Sequence, residues 1–320
     1  MTGGRSAPRA SVILATYRRP QVLPRAIRSV LDQTCGDWEL LVVDDEPSAE
    51  TARIVASFPD VRIRYVPHDR NRGLCAARNT GIRQARGEFI AFLDDDDMFL
   101  ERKLETQATF LEAAPEGVGA VSSFEEILRP DGSMSIRAVT LLGDIHQRLL
   151  RDDLVRMQLL MVRRICFDRV GLFDERLRGH DDFDMTLRLS RGFQFATIGE
   201  PLVRIIATSG SMSTNLHDRI HAIETIMSTH PEFREGRRVR ARWERRLARH
   251  HAELGDRRLW RRHLFRSLCA NPASGPGWLA LGAGSLFGSA AHLRLGRLRG
   301  RVEQARRAAK ARIRKMRQAQ

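Results

Sequence analysis

The chain is poor in cysteine and in aromatic side chains. Its 320 residues include 4 cysteines, and aromatic residues make up 6% of the chain. Cys35, Cys75, Cys166 and Cys269 are widely spaced, without a CxxC pair or a His-rich neighbour. This spacing argues against a disulfide framework and against a cysteine-based zinc site. We therefore expect small core cysteines in a reducing compartment.

Signals for secretion and for two common nucleotide-binding loops are also missing. Residues 1–9 are polar and lack the apolar stretch of a secretory signal, and we expect a flexible N-terminus there. Neither GxGxxG nor GxxxxGK followed by Ser or Thr occurs in the chain. The sequence thus supports neither a dinucleotide-binding fold nor a P-loop.

Positive charge is in excess, but it is concentrated at one end. The net charge is +15, and residues 231–320 hold 24 Lys and Arg against 6 Asp and Glu. The other 230 residues hold 30 basic and 33 acidic side chains. We therefore expect an α/β domain at residues 10–229 and a basic α-helical extension at residues 230–320.

Short apolar runs alternate with helical patterns in the first third of the chain. Ser11–Ala15, Glu39–Val43 and Val61–Val66 have strand patterns, and Gly87 opens a fourth apolar run. The segments between them have apolar residues on one helical face. This alternation predicts a Rossmann-like, mostly parallel sheet flanked by helices.

Further strands are predicted later in the chain, at Leu159–Val162, Gln194–Ile198 and Leu202–Ile206. The region between Arg129 and Val155 has no clear pattern.

Four adjacent carboxylates, Asp94–Asp97, follow the fourth apolar run. Ligands of open α/β sheets bind outside the carboxyl ends of the strands. Hard divalent cations take oxygen ligands, commonly one or two carboxylates together with substrate phosphates. The run therefore predicts a metal site; the alternatives are a solvated acidic turn, or Asp97 capping the next helix.

Six strings of this sequence, in this order, resemble the family 2 glycosyltransferases, which use nucleotide-sugars and have the GT-A fold. The resemblance covers about residues 10–215. The strings are Ser11–Tyr17, Glu39–Asp45, Asn71–Gly81, Gly87–Asp97, Gly171–Glu175 and Asp181–Asp184.

The resemblance implies a nucleotide site at the first two strand ends. Asp44 is expected to hydrogen-bond uracil, because an ionised carboxylate only accepts and uracil N3–H donates. Ala15, Thr16 and Tyr17 are expected to line the base.

The resemblance also implies an Asp-x-Asp element at Asp94, Asp95 and Asp96. Asp96 is the principal expected ligand of Mn²⁺ or Mg²⁺, with Asp94 as a second ligand and Asp94 and Asp95 nearer the ribose. Arg78 is expected near the phosphates; a surface ion pair on a helix is the alternative.

Asp181 and Asp182 match the acidic pair of the family, which is usually Glu-Asp. Asp182 is the implied general base, deprotonating an acceptor hydroxyl for attack with inversion. The alternative is that Asp181 or Asp182 caps the helix that follows. His180 is an additional candidate.

Three departures from the family pattern affect the prediction. Glu46-Pro47 replaces a small Gly-Ser pair, so the preferred nucleotide need not be UDP. The stretch Ala207–Ser213 lacks the His that many relatives carry, although His217 follows. The Gln-x-x-Arg-Trp string of processive synthases is absent, which favours transfer of single sugars.

The basic extension suggests a helical hairpin broken at Gly255-Asp256. Pro276–Leu293 lacks charged residues apart from His292 and is rich in Gly, Ala and Ser, with few apolar side chains, and a dense basic run, Arg294–Arg317, follows it. Such a segment suits the surface of an anionic membrane, with a solvated charged helix as the alternative. A nucleic-acid partner is disfavoured because aromatic residues are sparse among the arginines.

We therefore expect an inverting, metal-dependent glycosyltransferase. It transfers one sugar from a nucleotide-sugar donor, most simply a UDP-sugar, to a glycan or lipid-linked acceptor. We expect it in the cytoplasm, at the inner face of the cell membrane. The alternative is a non-catalytic scaffold that binds a nucleotide-sugar or a polyanion.

Overall fold

The computed structural model describes residues 7–151, 155–207, 215–273 and residue 278. The strands are β1 Ala10–Thr16, β2 Trp38–Asp44, β3 Ile63–Pro67, β4 Phe89–Asp94, β5 Met98–Phe99, β6 Val118–Leu128, β7 Met134–Arg137, β8 Met161–Arg163 and β9 Gln194–Ile206. The α-helices are α1 Leu23–Leu31, α2 Ala49–Ala56, α3 Leu74–Gln84, α4 Lys103–Ala113, α5 His146–Leu149, α6 Arg164–Val170, α7 Asp181–Gly192, α8 Leu216–Thr229, α9 Glu232–Glu235, α10 Arg237–Glu253 and α11 Arg257–Ala270.

The strands form one sheet in the order β3-β2-β1-β4-β8-β6-β9-β5, with β7 paired to β6. The strands β3, β2, β1 and β4 are all parallel, as the sequence predicts. β8 runs antiparallel to both β4 and β6, and β9 lies parallel to β6, so the second half is mixed. The α/β prediction is confirmed.

The parallel register decides where the strand ends meet. Thr16 pairs with Asp44, and Ala15 pairs with Asp94. The carboxyl ends of β2, β1 and β4 therefore lie side by side at one edge of the sheet.

Two glycines allow the close packing beneath this edge. A Cβ on Gly81 of α3 would lie 2.4 Å from Cγ2 of Ile13, and a Cβ on Gly87 would lie 2.6 Å from the backbone nitrogen of Ser11. Helix α3 therefore packs directly on β1. The residues that lead into β4 likewise lie directly beside β1.

Several predicted boundaries differ from the structure. The third strand begins at Ile63, because Asp60 accepts the Arg62 N–H at 2.9 Å and holds a turn there. The segment predicted as Leu159–Val162 is a 3₁₀ turn, Met157–Leu159, followed by β8. The two last predicted strands are one continuous strand, β9, which keeps its pairing to β6 through irregularities in register.

The N-terminal and central regions also contain order that the sequence did not predict. Residues 1–6 lie outside the described residues, but Arg9 is held by the side chains of Glu112 and Thr109. Between Arg129 and Val155, where no pattern was visible, the chain forms β7 and α5.

The chain divides into two compact units, residues 1–222 and 223–320, and the division falls within α8. In the second unit α10 and α11 pack as a hairpin with buried Trp243 and Trp260. Asp256 is the N-cap of α11, and its side chain accepts a hydrogen bond from the Leu259 N–H at 2.9 Å.

Apart from Trp278, the predicted segments Pro276–Leu293 and Arg294–Arg317 lie outside the described residues. In the part of the chain that is described, no helix has the length and apolar character needed to cross a bilayer.

Candidate active site

The ends of β1 and β4 are joined by a buried hydrogen bond. Thr16 Oγ1 donates to Oδ2 of Asp95 at 2.8 Å. Arg18, two residues further along the chain, has a φ of 53°, a left-handed conformation that is uncommon outside glycine. Such conformations concentrate at functional sites, where the surrounding structure maintains them.

Arg19 bridges two carboxylates of the acidic run and was not predicted as a site residue. It donates to Oδ2 of Asp96 at 2.7 Å and forms an ion pair with Asp95. Burial raises the pKa of Asp95 to about 6, although Arg19 and Thr16 oppose the increase. The sequence signal was a basic pair directly after a strand whose end carries predicted site residues.

Arg78 lies at the centre of the site, with a side chain that is only 3% exposed. One terminal nitrogen, Nη1, donates to Oδ2 of Asp181 and to Oδ1 of Asp182, both at 2.6 Å. The other, Nη2, donates to Oδ1 of Asp94 at 3.3 Å. The alternative of a surface ion pair is therefore wrong.

Aromatic rings and carboxylates together hold this cation inside the protein. The guanidinium lies 5.3 Å from the ring centroid of Phe173 and 5.6 Å from that of Phe92. Burial lowers the pKa of Arg78, but the nearby carboxylates of Asp182, Asp181 and Asp94 raise it more, and the net shift is upward. Arg78 thus brings the end of β4 and the start of α7 together.

The two carboxylates at the start of α7 have different environments. Asp181 is buried, and burial raises its pKa to about 7 despite the opposing charge of Arg78. The side chain of Asp182 is 24% exposed, and its Oδ2 accepts the backbone N–H of Met157 at 3.0 Å. Of the two, Asp182 is the carboxylate that a substrate can reach.

The start of α7 does not support capping by these carboxylates. The residue before the helix, His180, has a φ of 53° and makes no side-chain capping bond. Asp182 uses its oxygens for Arg78 and Met157, which lie outside its own helix.

Asp97 serves the fold rather than the site surface. Its oxygens accept the Ile206 N–H at 2.9 Å and the Gln158 side-chain amide at 3.0 Å, so it links the end of β4 to β9. Burial, together with the charge of Asp94, raises its pKa to about 7. The next helix is preceded by Arg102, so Asp97 does not cap it.

Asp44 is fully buried at the end of β2, where the sequence predicts a contact with the base. Tyr65 donates from its hydroxyl to Oδ2 at 2.8 Å, and the Glu46 N–H reaches Oδ1 at 3.3 Å. Burial and the hydrogen bond to Asp44 raise the pKa of Tyr65. Tyr65 was missed because its strand pattern gave no reason to single out a hydroxyl.

The second carboxylate of that pair, Asp45, shapes the next turn. It accepts the backbone N–H groups of Arg72 at 2.9 Å and of Gly73 at 2.7 Å, and contacts Nδ1 of His68 at 2.8 Å. Helix α3 begins directly after this turn.

A second anchor holds the loop before α7 against α3. Asn79 donates to the carbonyl of Phe173 at 2.9 Å and accepts the Phe173 N–H at 2.8 Å. The predicted strings Asn71–Gly81 and Gly171–Glu175 therefore meet, and Phe173 is placed beside Arg78.

The donor set at the end of β4 fits a hard divalent cation. The side chains of Asp94 and Asp96 are 32% and 17% exposed, whereas that of Asp95 is 1% exposed. Within the described residues, no third carboxylate or imidazole of this site joins them in a cluster. Two carboxylates completed by phosphate and water oxygens are the usual magnesium arrangement in proteins.

The two histidine candidates occupy different places. His180 precedes α7 directly, whereas His217 is exposed on α8, where its backbone N–H binds Oδ1 of Asn215 at 3.0 Å.

Comparison with known proteins gives the family. The model described as Glycosyl transferase family 2 matches residues 11–146. This segment of the chain matches the family 2 glycosyltransferases. This glycosyltransferase family 2 segment contains the strand ends that carry Thr16, Asp44 and Asp94–Asp97, whereas α7 lies beyond it.

Curated relatives include a named glucosyltransferase and a succinoglycan biosynthesis protein. WfgD of Escherichia coli, named a UDP-Glc:alpha-D-GlcNAc-diphosphoundecaprenol beta-1,3-glucosyltransferase, is 42% identical over 101 residues, which are 32% of this chain and 40% of WfgD. The succinoglycan biosynthesis protein ExoO of Rhizobium meliloti is 33% identical over 187 residues, which are 55% of this chain and 54% of ExoO. The chain thus spans less than two thirds of either relative.

Solved structures of glycosyltransferases share the GT-A fold of this chain. S. aureus TarS 1-349 in complex with UDP-GlcNAc has a TM-score of 0.63 at 18% identity, over 82% of this chain and 81% of that chain. The mannosyltransferase PcManGT from Pyrobaculum calidifontis, in complex with GDP-Man and Mn²⁺, has a TM-score of 0.55 at 19% identity. The match covers 90% of this chain and 86% of PcManGT. Identities this low establish the fold alone.

Proposed function

We propose that this family 2 protein is an inverting, metal-dependent glycosyltransferase that transfers one sugar from a nucleotide-sugar to a hydroxyl group of a glycan or lipid-linked acceptor. The observation that carries the proposal is the position of Arg78. Its guanidinium contacts Asp94 of the Asp-x-Asp element and the carboxylates of Asp181 and Asp182. The carboxylate proposed for the donor site and the carboxylate proposed as the base for the acceptor therefore both contact the side chain of Arg78.

The nucleotide is proposed to bind over the ends of β1 and β2. Ala15 and Tyr17 are partly exposed there and offer a wall for the base, next to buried Thr16 and Asp44. A carboxylate has about four acceptor positions, so Asp44 has acceptor capacity for a base N–H in addition to Tyr65 and Glu46. Because Asp44 is fully buried, this contact requires the residues that cover it to move aside. The names of WfgD and TarS favour a UDP-sugar, whereas PcManGT is in complex with GDP-Man.

Asp96 and Asp94 are the residues proposed to hold Mn²⁺ or Mg²⁺. A cation held there would neutralise the negative charge that develops on the diphosphate as it leaves. Arg19 and Arg78 contribute positive charge next to the same carboxylates. Thr16 and Arg19 hold Asp95 in place, and Asp95 thereby orients the turn that follows β4.

Asp182 is proposed to deprotonate the acceptor hydroxyl, with buried Asp181 beside it as a positioning partner. The hydrogen bonds from Arg78 and Met157 orient the Asp182 carboxylate, and its exposed fraction gives the acceptor access. The hydroxyl oxygen then attacks the anomeric carbon on the face opposite the nucleotide. The bond to the diphosphate breaks as the new bond forms, and the configuration is inverted.

The acceptor is proposed to be part of cell-envelope polysaccharide or glycoconjugate synthesis. The name of WfgD specifies a diphosphoundecaprenol acceptor, and ExoO belongs to succinoglycan biosynthesis. A lipid-linked acceptor requires a membrane surface. The helix α11 carries exposed Phe265 among arginines, which suits peripheral contact of the basic extension with anionic lipids at the inner face.

The first test of the proposed function is a thermal-shift panel with UDP, GDP, dTDP and ADP, each with and without Mn²⁺. A ligand that binds only the native state raises the melting temperature according to its concentration and affinity. We expect one diphosphate to stabilise the protein in a metal-dependent manner, and Asp96→Ala to remove that dependence.

Product analysis then tests the reaction itself. The protein is supplied with a lipid-linked acceptor and with nucleotide-sugars that carry the base identified by the thermal-shift panel. We expect NMR to show a product whose anomeric configuration is inverted relative to the donor. The control is Asp168→Asn, an exposed carboxylate on α6. Folded protein that binds none of the four diphosphates would support the non-catalytic scaffold instead.

A further inference from the structure

A cluster of metal-binding side chains lies in the C-terminal unit, and none of its members has a role in the proposed active site. Glu224 on α8, His251 on α10 and His263 on α11 each offer a donor atom, and these three atoms lie within 4.8 Å of one another. In the part of the chain that the structure describes, this is the only such group of three. The donors come from three different helices.

The two histidines are buried and closely aligned. His251 is 6% exposed and His263 is 4% exposed. Their rings are stacked, with centroids 5.1 Å apart and planes inclined by 8°. Each stacked ring has a nitrogen within 4.8 Å of the other and of a carboxylate oxygen of Glu224, which is exposed.

His263 is oriented by a carboxylate, as metal-bound histidines usually are. Its Nδ1 lies 2.8 Å from Oε2 of Glu244, and both side chains are buried. A partner of this kind selects the tautomer, and leaves Nε2 as the nitrogen that can bind a cation. Oε1 of Glu244 lies 4.0 Å from Nε of Arg240, which adds a positive charge near the carboxylate.

We propose that Glu224, His251 and His263 bind a zinc ion. Two imidazoles and one carboxylate are a donor set that zinc takes in proteins, with water as a fourth ligand. Around a tetrahedral zinc with bonds of about 2 Å, donors lie about 3.3 Å apart. The three donor atoms, which lie within 4.8 Å of one another here, draw together when the ion binds, and the exposed Glu224 side chain can move by a change of rotamer.

The site joins α8, α10 and α11, and zinc stabilises the C-terminal unit by cross-linking them. Imidazole ligands distinguish this site from the carboxylate pair at the end of β4, which suits Mg²⁺ or Mn²⁺. The two sites can therefore be filled separately.

The test uses the full chain without an affinity tag, freed of metal by chelation and then kept in millimolar Mg²⁺ to occupy the carboxylate site. Zinc uptake is measured by equilibrium dialysis and elemental analysis, together with thermal unfolding. We expect one bound zinc per chain and a higher melting temperature. Glu224→Gln and His263→Gln should each weaken binding at least tenfold.

Two further variants separate a metal site from a structural histidine pair. Glu235→Gln, which alters an exposed carboxylate of the same unit, should bind zinc like the parent protein. Glu244→Gln should weaken zinc binding about 10–100-fold, because it replaces the carboxylate that orients His263 with a neutral amide. If His263→Gln fails to fold, Glu224→Gln still decides, since its side chain is on the surface. No bound zinc, or equal binding by the Glu224 and Glu235 variants, would overturn the proposal.

Discussion

The buried guanidinium of Arg78 donates from Nη1 to Oδ1 of Asp182 at 2.6 Å. These residues are 104 positions apart in the chain. The contact places a permanent positive charge directly on the proposed base. It orients that base, and it connects the base to the Asp-x-Asp element through Asp94.

Asp182→Asn should leave the fold intact and abolish most of the activity. A positioned general base contributes about 10²–10⁴-fold to the rate of a reaction, and an amide cannot take the proton. The measurement is the rate of nucleoside diphosphate release in the presence of acceptor. Stabilisation by the diphosphate should remain, and full activity of the variant would remove Asp182 from the catalytic role.

Arg78→Met should destabilise the protein by about 3–5 kcal/mol, because it leaves buried carboxylates without their partner. Asp181→Asn in the same chain should restore part of the loss, with a coupling energy of about 0.5–3 kcal/mol. Urea unfolding of the two single variants and the double variant measures this. Arg176→Met breaks an exposed ion pair with Asp174 and serves as the control with little expected change. Additive effects would contradict the coupling.

Lys103→Met should change how stability depends on pH. Lys103 is fully buried, with Nζ 2.5 Å from Oε1 of Gln107, and burial lowers its pKa to about 7. Between about pH 7 and 10 the unfolded chain therefore binds a proton that the native chain has lost. Native stability should consequently rise with pH, by about 1 kcal/mol per pH unit from this residue.

Unfolding at a series of pH values above 7 tests this expectation. The Met variant should lack the increase, whereas a variant of the exposed neighbouring residue, Arg102→Met, should keep it. Parallel curves for the Met variant and the parent protein would show that Lys103 stays protonated in the core.

Tyr65→Phe should destabilise the protein by about 1–3 kcal/mol and weaken binding of the preferred nucleoside diphosphate. The phenol donates to the buried Asp44 carboxylate at 2.8 Å, and hydrogen bonds to charged groups are worth more than neutral ones. Calorimetric titration of the diphosphate measures the second effect. Unchanged affinity would separate Asp44 from recognition of the base.

The sequence alone predicted the parallel half of the sheet and the edge where the site lies. Apolar runs such as those before Asp44 and Asp94 indicate strands buried on both faces, and parallel strands with crossover helices end at the same edge. The positions of Thr16, Asp44 and Asp94 along the chain were therefore sufficient to place them together.

Other parts depended on contacts that periodicity does not encode. Arg78 appeared equally suited to a helix surface, and only packing of Phe92 and Phe173 around it shows that it is buried. Asp97 belongs to the same acidic run as Asp94–Asp96, but its side chain accepts hydrogen bonds from Ile206 and Gln158 within the fold. The sequence pattern gives no sign of these contacts.

The sequence determined which faces of strands and helices are apolar, because that property depends on neighbouring residues at fixed spacing. The tertiary structure decided which of those faces meet. The pairing of Arg78 with Asp182, and the convergence of Glu224, His251 and His263, join residues from separate elements. Long-range packing alone sets such contacts, since the free energy of each depends on burial and partners supplied by distant parts of the chain.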